Sequence, residues 1–181
     1  NAMGPWGSNK TDDKPFIHRA GDIYYISWGC WYAMSNSPWG PFDYAGKFID
    51  IDLIEPAFQV NSTVTPWYKN ENYVDRHGSF LHFHGQWYFF CNDRSHSDAL
   101  KFNQSGFNFR DTVAGYVHYR KNGTIAPIGI DAQGVAAHSF QYHPRLPAEN
   151  YFSIDGAEKS EALDGGFEVV GLKEGSSLSF G

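Results

Sequence analysis

Three groups of side chains in this sequence are of types that do chemistry. His82 and His84 stand two apart in a segment read as a strand, where alternate residues share a face. Two imidazoles so placed could chelate a metal, yet a closed site needs further ligands and no third is evident nearby. Ahead of the first apolar run lies Asp12-Asp13-Lys14-Pro15, whose plainest reading is a solvated acidic turn before a strand. Trp31, Trp39 and Trp67 could stack on sugar rings, although aromatics in strands and turns more often cover a core. Cys30 and Cys91 are too few for a disulfide framework, and no Cys/His spacing reads as a zinc finger. Two half-buried thiols fit better than one bridge between them.

The elements that must carry these groups are strands. Of 181 residues, 41% are hydrophobic, 18% aromatic and only 19% charged, with 19 Gly and 9 Pro, which suits strands and turns rather than long helices. Disordered chains are poor in aromatics, so disorder is excluded. No run approaches the roughly 18–20 apolar residues a membrane-spanning helix needs. A net charge of −6 argues against nucleic acid, whose phosphates want a basic face. It is compatible with a neutral ligand such as sugar.

A repeat organises the chain. Phe16-Ile17-His18-Arg19-Ala20-Gly21-Asp22-Ile23-Tyr24-Tyr25-Ile26 returns 64 residues later as Phe80-Leu81-His82-Phe83-His84-Gly85-Gln86-Trp87-Tyr88-Phe89-Phe90. Each copy reads as a β-hairpin turning at its glycine. His82 matches His18, which gives the histidine a structural place in each unit. After the first hairpin, Trp31 to Met34 and Phe42 to Phe48 read as third and fourth strands. Between them Ser37-Pro38-Trp39-Gly40-Pro41 must turn. After the second, Thr112 to Tyr119 and Thr124 to Ile128 complete a matching set around Lys121-Asn122-Gly123. Two four-stranded units in tandem are the pattern of propeller blades. The alternative, one eight-stranded sandwich, rarely repeats its motif at such spacing.

With these residues in view, Pro15-Phe16-Ile17-His18-x-x-Gly21-x-x-Tyr24-Tyr25-Ile26-Ser27 followed by Tyr32-Ala33-Met34-Ser35-Asn36-Ser37-Pro38-Trp39-Gly40-Pro41-Phe42-x-Tyr44 resembles glycoside hydrolase family 43. His77-Gly78-Ser79 with Gly85-Gln86-Trp87-Tyr88-Phe89, and Asn122-Gly123-Thr124-Ile125-x-Pro127-Ile128, resemble its later segments. The resemblance runs from about residue 12 to 130 and implies part of a five-bladed β-propeller. It also implies inverting hydrolysis of xylosyl or arabinofuranosyl linkages in plant polysaccharide. Such chemistry needs an acid and a base carboxyl about 6.5–9.5 Å apart, the acid keeping its proton near neutral pH. Asp13 stands where the family has its acid glutamate, one methylene shorter and beside the Lys14 ammonium, which would lower its pKa. The family's base and tuning aspartates belong to blades that match no part of this chain. His77 matches a cavity histidine that serves a bound calcium or its waters, so calcium is the implied cofactor. Arg110 falls in a stretch that hydrogen-bonds sugar hydroxyls, with Trp31 as a second substrate contact. Glu55-Pro56 reads as inter-blade linker rather than acid.

Beyond Ile130 the composition shifts. Residues 131–147 read as a linker. Pro147 to Gly156, Gly165 to Gly171 and Ser176 to Phe180 resemble the opening strands of a family 6 carbohydrate-binding module, a β-sandwich that often holds calcium, with Glu149 matching its first-strand acid. A sandwich needs both sheets to bury a core, so this piece is expected to dock on the blades or pair with another chain rather than fold alone. Asn1-Ala2-Met3 reads as a cloning scar.

The expectations are therefore an all-β chain: two blades, about residues 12–60 and 77–130, then a linker and a sandwich-like fragment over 148–181. The partner is an oligo- or polysaccharide of the xylan or arabinan class, with no nucleic acid and no membrane. A secreted or periplasmic location follows for the parent family. A non-catalytic carbohydrate-binding or scaffold role is the rival to hydrolysis. Self-association through exposed blade edges is a third reading.

Overall fold

The computed structural model describes residues 15–54, 78–93, 111–130, 135 and 147–180. Among them four strands form one antiparallel meander in chain order: β1 (Phe16–Ala20), β2 (Ile23–Trp28), β3 (Trp31–Ser35) and β4 (Asp43–Lys47). Tight turns at Gly21-Asp22 and Gly29-Cys30 fix the register, with Ala20 opposite Ile23 and Trp28 opposite Trp31. The longer β3–β4 turn is built by its own side chains. Ser35 Oγ accepts the Ser37 N–H at 3.1 Å, and Ser37 Oγ accepts the Trp39 N–H at 3.2 Å. The Gly40–Pro41 bond there is cis.

β3 is buried on both faces, as an interior strand of a blade must be. Tyr32 enters one apolar cluster with Tyr25, Phe48, Phe80, Phe89 and Ile128. Trp31 and Ala33, pointing the other way, form a second cluster with Trp28. The all-β class and the first four-stranded unit are as the sequence predicts.

The second unit differs from expectation. β6 (Gly78–Phe83), β7 (Gln86–Asp93) and β8 (Asp111–Val117) form a three-stranded antiparallel sheet. The predicted fourth strand, Thr124 to Ile128, does not join it. After the Lys121-Asn122-Gly123 turn, the Thr124 carbonyl accepts the Arg120 N–H at 2.8 Å, Ile125 bridges Tyr119, and the Ala126 N–H donates to the His118 carbonyl at 2.9 Å, folding this segment back on the end of β8 rather than adding a strand. Pro127 then has no N–H with which to continue a ladder. The chain leaves as β9 (Ile128–Ile130) and pairs in parallel with β5 (Ile49–Ile54), the strand that follows the first unit. Gly115 on β8 permits this crossing, because a Cβ there would lie 2.6 Å from the Ile128 γ-methyl. The two units are thus tied by a shared parallel pair, and Phe48 packs edge-on against Phe80 and Phe89 at 5.4 and 5.0 Å.

The C-terminal segment docks on the second unit. A single 3-10 turn, Ala148–Asn150, leads to β10 (Ser153–Asp155), β11 (Glu158–Glu161), β12 (Phe167–Val170) and β13 (Ser177–Ser179). These pair as two nested antiparallel ribbons, β10 with β13 and β11 with β12. Gln86, with no exposed surface, donates from Nε2 to the Glu149 carbonyl at 2.8 Å, and the Tyr151 hydroxyl donates to the Gly85 carbonyl at 2.9 Å. Lys159 Nζ reaches Gln86 Oε1, and Arg120 pairs with Glu161 at 2.9 Å. The His118 ring stacks on Phe167 at 4.7 Å. Docking, one of the two outcomes anticipated for this piece, is what the structure contains.

Candidate functional site

Two places in the described residues gather polar side chains: a buried seam between the units and an open cleft at one end of the first sheet. The seam centres on His18. Its ring stacks between Tyr25 at 4.9 Å and Phe80 at 4.2 Å, joining the first unit to the second. Its Nε2 shares a 2.6 Å hydrogen bond with the Tyr119 hydroxyl. The neighbouring Tyr25 hydroxyl donates to the Gly123 carbonyl at 2.6 Å, and Tyr32 accepts the Ile125 N–H at 3.0 Å. Burial lowers His18 to about 4 and pushes the Tyr119 phenol up, so both are neutral at pH 7. A half-buried, neutral His–Tyr pair walled by aromatic rings cements two sheets.

The cleft, about 620 Å³, lies where the β1–β2 and β3–β4 turns meet the Asn122 turn. Ile23 and Met34 line its apolar part, while Ser35, Asn36, Ser37, Asp43 and Asn122 supply polar atoms. Among the described residues Asp43 is its one carboxylate, so they supply no acid–base pair. Trp39, between the lining residues Ser37 and Gly40 in the chain but not itself in the lining, is 93% exposed.

Of the side chains singled out from sequence, Asp13, His77 and Arg110 lie outside the described residues, as do Glu55 and Trp67. Trp31 is described and is 2% exposed, enclosed with Trp28 and Ala33. Its ring offers no face to a sugar, because β3 is covered on both sides; the substrate contact expected of it is corrected accordingly. The His82/His84 pair does not share a strand face. His84 occupies the β6–β7 turn at φ 49°, while His82, exposed on β6, stacks on Trp87 at 4.9 Å. No group of three His, Cys, Asp or Glu side chains is placed to hold a metal among the described residues. Cys30 and Cys91 are both thiols. At Gly78 the Phe89 ring stands where a Cβ would lie. No helix among the described residues is long and apolar enough to cross a membrane.

Sequence reasoning missed Asp43 and Asn36, and took Asn122 only as the centre of a turn. The signal was present as two side-chain-rich turns, Ser35 to Ser37 and Asn122 to Thr124, but nothing local says that they converge.

No family model matches the chain, and no curated protein matches it. Solved structures do. A GH43_1 enzyme from Xanthomonas citri, complexed with xylotriose, shares 27% identity over 64% of this chain and 29% of its own, at a TM-score of 0.42. A family 43 arabinoxylan arabinofuranohydrolase from Bacillus subtilis, in complex with cellotetraose, shares 18% over 91% of this chain and 35% of its own, at 0.49. An α-L-arabinofuranosidase from Clostridium thermocellum shares 21% over 64% and 35%, at 0.40. The chain therefore spans about a third of the length of these proteins.

Proposed function

We propose that this chain is a section of a glycoside hydrolase of the family 43 type, acting by inversion on xylosyl or arabinofuranosyl linkages. The observation that carries the reading is the first meander. The residues with the most specific resemblance, Phe16 to Ser27 and Tyr32 to Tyr44, fold as consecutive blade-like strands, and the Ser-Pro-Trp-Gly-Pro-Phe run forms the β3–β4 turn. In this reading Asp13 protonates the leaving oxygen, and the water-activating carboxylate comes from a blade matching no part of this sequence. Arg110 hydrogen-bonds sugar hydroxyls. His77 serves a calcium ion or its waters, which would supply fixed positive charge at the cavity. The C-terminal ribbons are the start of a carbohydrate-binding module.

Asp13 in place of a glutamate, with Lys14 beside it, favours a second reading in which the chain binds carbohydrate without turning it over. Nitrophenyl β-xyloside and α-arabinofuranoside separate the two. The hydrolase reading expects nitrophenol release that survives purification and disappears in Asp13→Ala. Retention on xylan without release supports the second reading; neither retention nor release contradicts both.

A further inference from the structure

The geometry points to a carbohydrate-binding subsite in the cleft at the β3–β4 turn, with Trp39 as its platform and Asp43, Ser37 and Asn122 as its polar contacts. The ligand class, a neutral pentosyl oligosaccharide, rests on the reading above; the cleft itself lies at the Ala20 end of β1 rather than the Pro15 end. Phe16 and Ser27 pair at the end of β1 next to Pro15, whereas Ile23, in the cleft, pairs with Ala20 at the other end. Four strand steps, about 13 Å, separate the two ends.

The chemistry of the lining selects the ligand. Among the described residues no Lys or Arg lines the cleft, and Asp43 brings one negative charge, so phosphates and other anions are disfavoured there. The polar groups already use their acceptor sides within the turns. Ser35 and Ser37 Oγ each accept a backbone N–H, which leaves their hydroxyl protons to donate outward. Asn122 Oδ1 accepts from the Thr124 N–H at 3.0 Å and the Thr124 hydroxyl at 2.7 Å, leaving its Nδ2 as the donor. Asp43, exposed, can only accept. Fixed donors facing one acceptor suit a ligand whose hydroxyls both donate and accept.

Trp39 supplies the apolar half. The two residues that flank its turn, Ser37 and Gly40, line the cleft, and their Gly40 N–H to Ser37 carbonyl bond of 3.1 Å holds the indole outside the sheet. Trp28 and Trp31 are buried, so Trp39 is not spent on a core. A solvent-open indole between the lining residues Ser37 and Gly40 in the chain could offer its face to the C–H side of a sugar whose hydroxyls meet the donors of the cleft. The volume falls within the roughly 300–1,000 Å³ of small-ligand clefts.

Isothermal titration of the full chain with xylotetraose, and separately with arabinotetraose, tests the site. At least one is expected to bind, with affinity falling about tenfold in Trp39→Ala and a few-fold in Asp43→Ala, while Asp43→Asn, which keeps an acceptor, retains most of it. Trp39→Ala should leave the thermal midpoint unchanged, since so exposed a ring supports no packing. Binding unaltered in Trp39→Ala overturns the proposal, as does absence of binding by both sugars. Turnover is read in parallel. Trp39-dependent binding without turnover keeps the subsite and sinks the hydrolase reading, whereas turnover with Trp39-independent binding does the reverse.

Discussion

The β1–β2 and β6–β7 hairpins share one sequence pattern and use it differently. In the first, Gly21 alone takes positive φ, at 57°, the pattern of a type II′ turn. In the second, both loop residues do, His84 at 49° and Gly85 at 82°, the pattern of type I′. The loop therefore begins one residue earlier relative to the repeat. Phe16 opposes Ser27, whereas Phe80 opposes Phe89, two residues short of the equivalent partner Cys91. The equivalent histidines separate in role. His18 is sandwiched in the seam; His82 is exposed and meets Trp87.

The surroundings of the turns differ in the same sense. The first is exposed and carries an Arg19–Asp22 pair at 2.9 Å that, screened by water, adds little to stability. The second is covered by the C-terminal segment. A Cβ at Gly85 would lie 2.9 Å from the Ile154 γ-methyl, and Phe152 packs against Phe83 and His84 at 6.0 and 5.6 Å. A repeated motif thus specifies a hairpin, and the turn type together with whatever docks on it decides what the hairpin does.

Acid should bear on the His18 seam most sharply. His18 titrates near 4 folded against about 6.5 unfolded, and burial with the nearby Lys159 ammonium holds His118 near 3. Between those values the unfolded chain binds more protons. Stability is therefore full above pH 6.5 and falls as pH drops toward 4, by about 3 kcal/mol from His18 alone. Denaturant midpoints measured from pH 7 to 4 should show the fall, and His18→Phe should flatten it. An unaltered slope in His18→Phe would place His18 outside the seam.

At fixed neutral pH the two alanine variants come next. His18→Ala opens a cavity among Tyr25, Phe80 and Trp87 and should cost about 3 kcal/mol in urea unfolding; His82→Ala should stay within about 0.5 kcal/mol. Equal losses would make the repeat functionally symmetric, contrary to the structure. Tyr119→Phe removes the partner of His18 Nε2 inside the seam and should cost about 1–2 kcal/mol by the same measurement. The smallest effect probes the turn itself. His84→Asn gives the type I′ loop an Asn-Gly pair and should raise the thermal midpoint slightly, worth up to about 1 kcal/mol, whereas Gly21→Asn should not stabilise.

Strand positions were legible in sequence because they rest on alternation and on turn residues: both hairpins, the Ser37-to-Pro41 turn, and the thiol state of Cys30 and Cys91. Register was not. Alternation survives a two-residue shift unchanged, so the pattern that found His82 could not say that its partner would be Trp87 rather than Phe89. Pro127 was visible, but its consequence, release of Ile128 to pair with β5, depends on where β5 lies. Trp31 read as an aromatic available to sugar until the second cluster enclosed it. The tail's attachment hangs on buried Gln86 and half-buried Lys159, whose contact across 73 residues no local pattern signals. Of the cleft, the turns were legible and their convergence was not, since Asn36 and Asn122 lie 86 residues apart.

The claim that the parent chemistry is inverting hydrolysis of pentosyl linkages is met most directly by proton NMR of xylo- and arabino-oligosaccharides incubated with the full chain. The account predicts that the first-formed sugar carries the anomeric configuration opposite to the bond cleaved, and that its release is lost in Asp13→Ala. Release with retained configuration, release indifferent to Asp13→Ala, or no release of either pentose would contradict it.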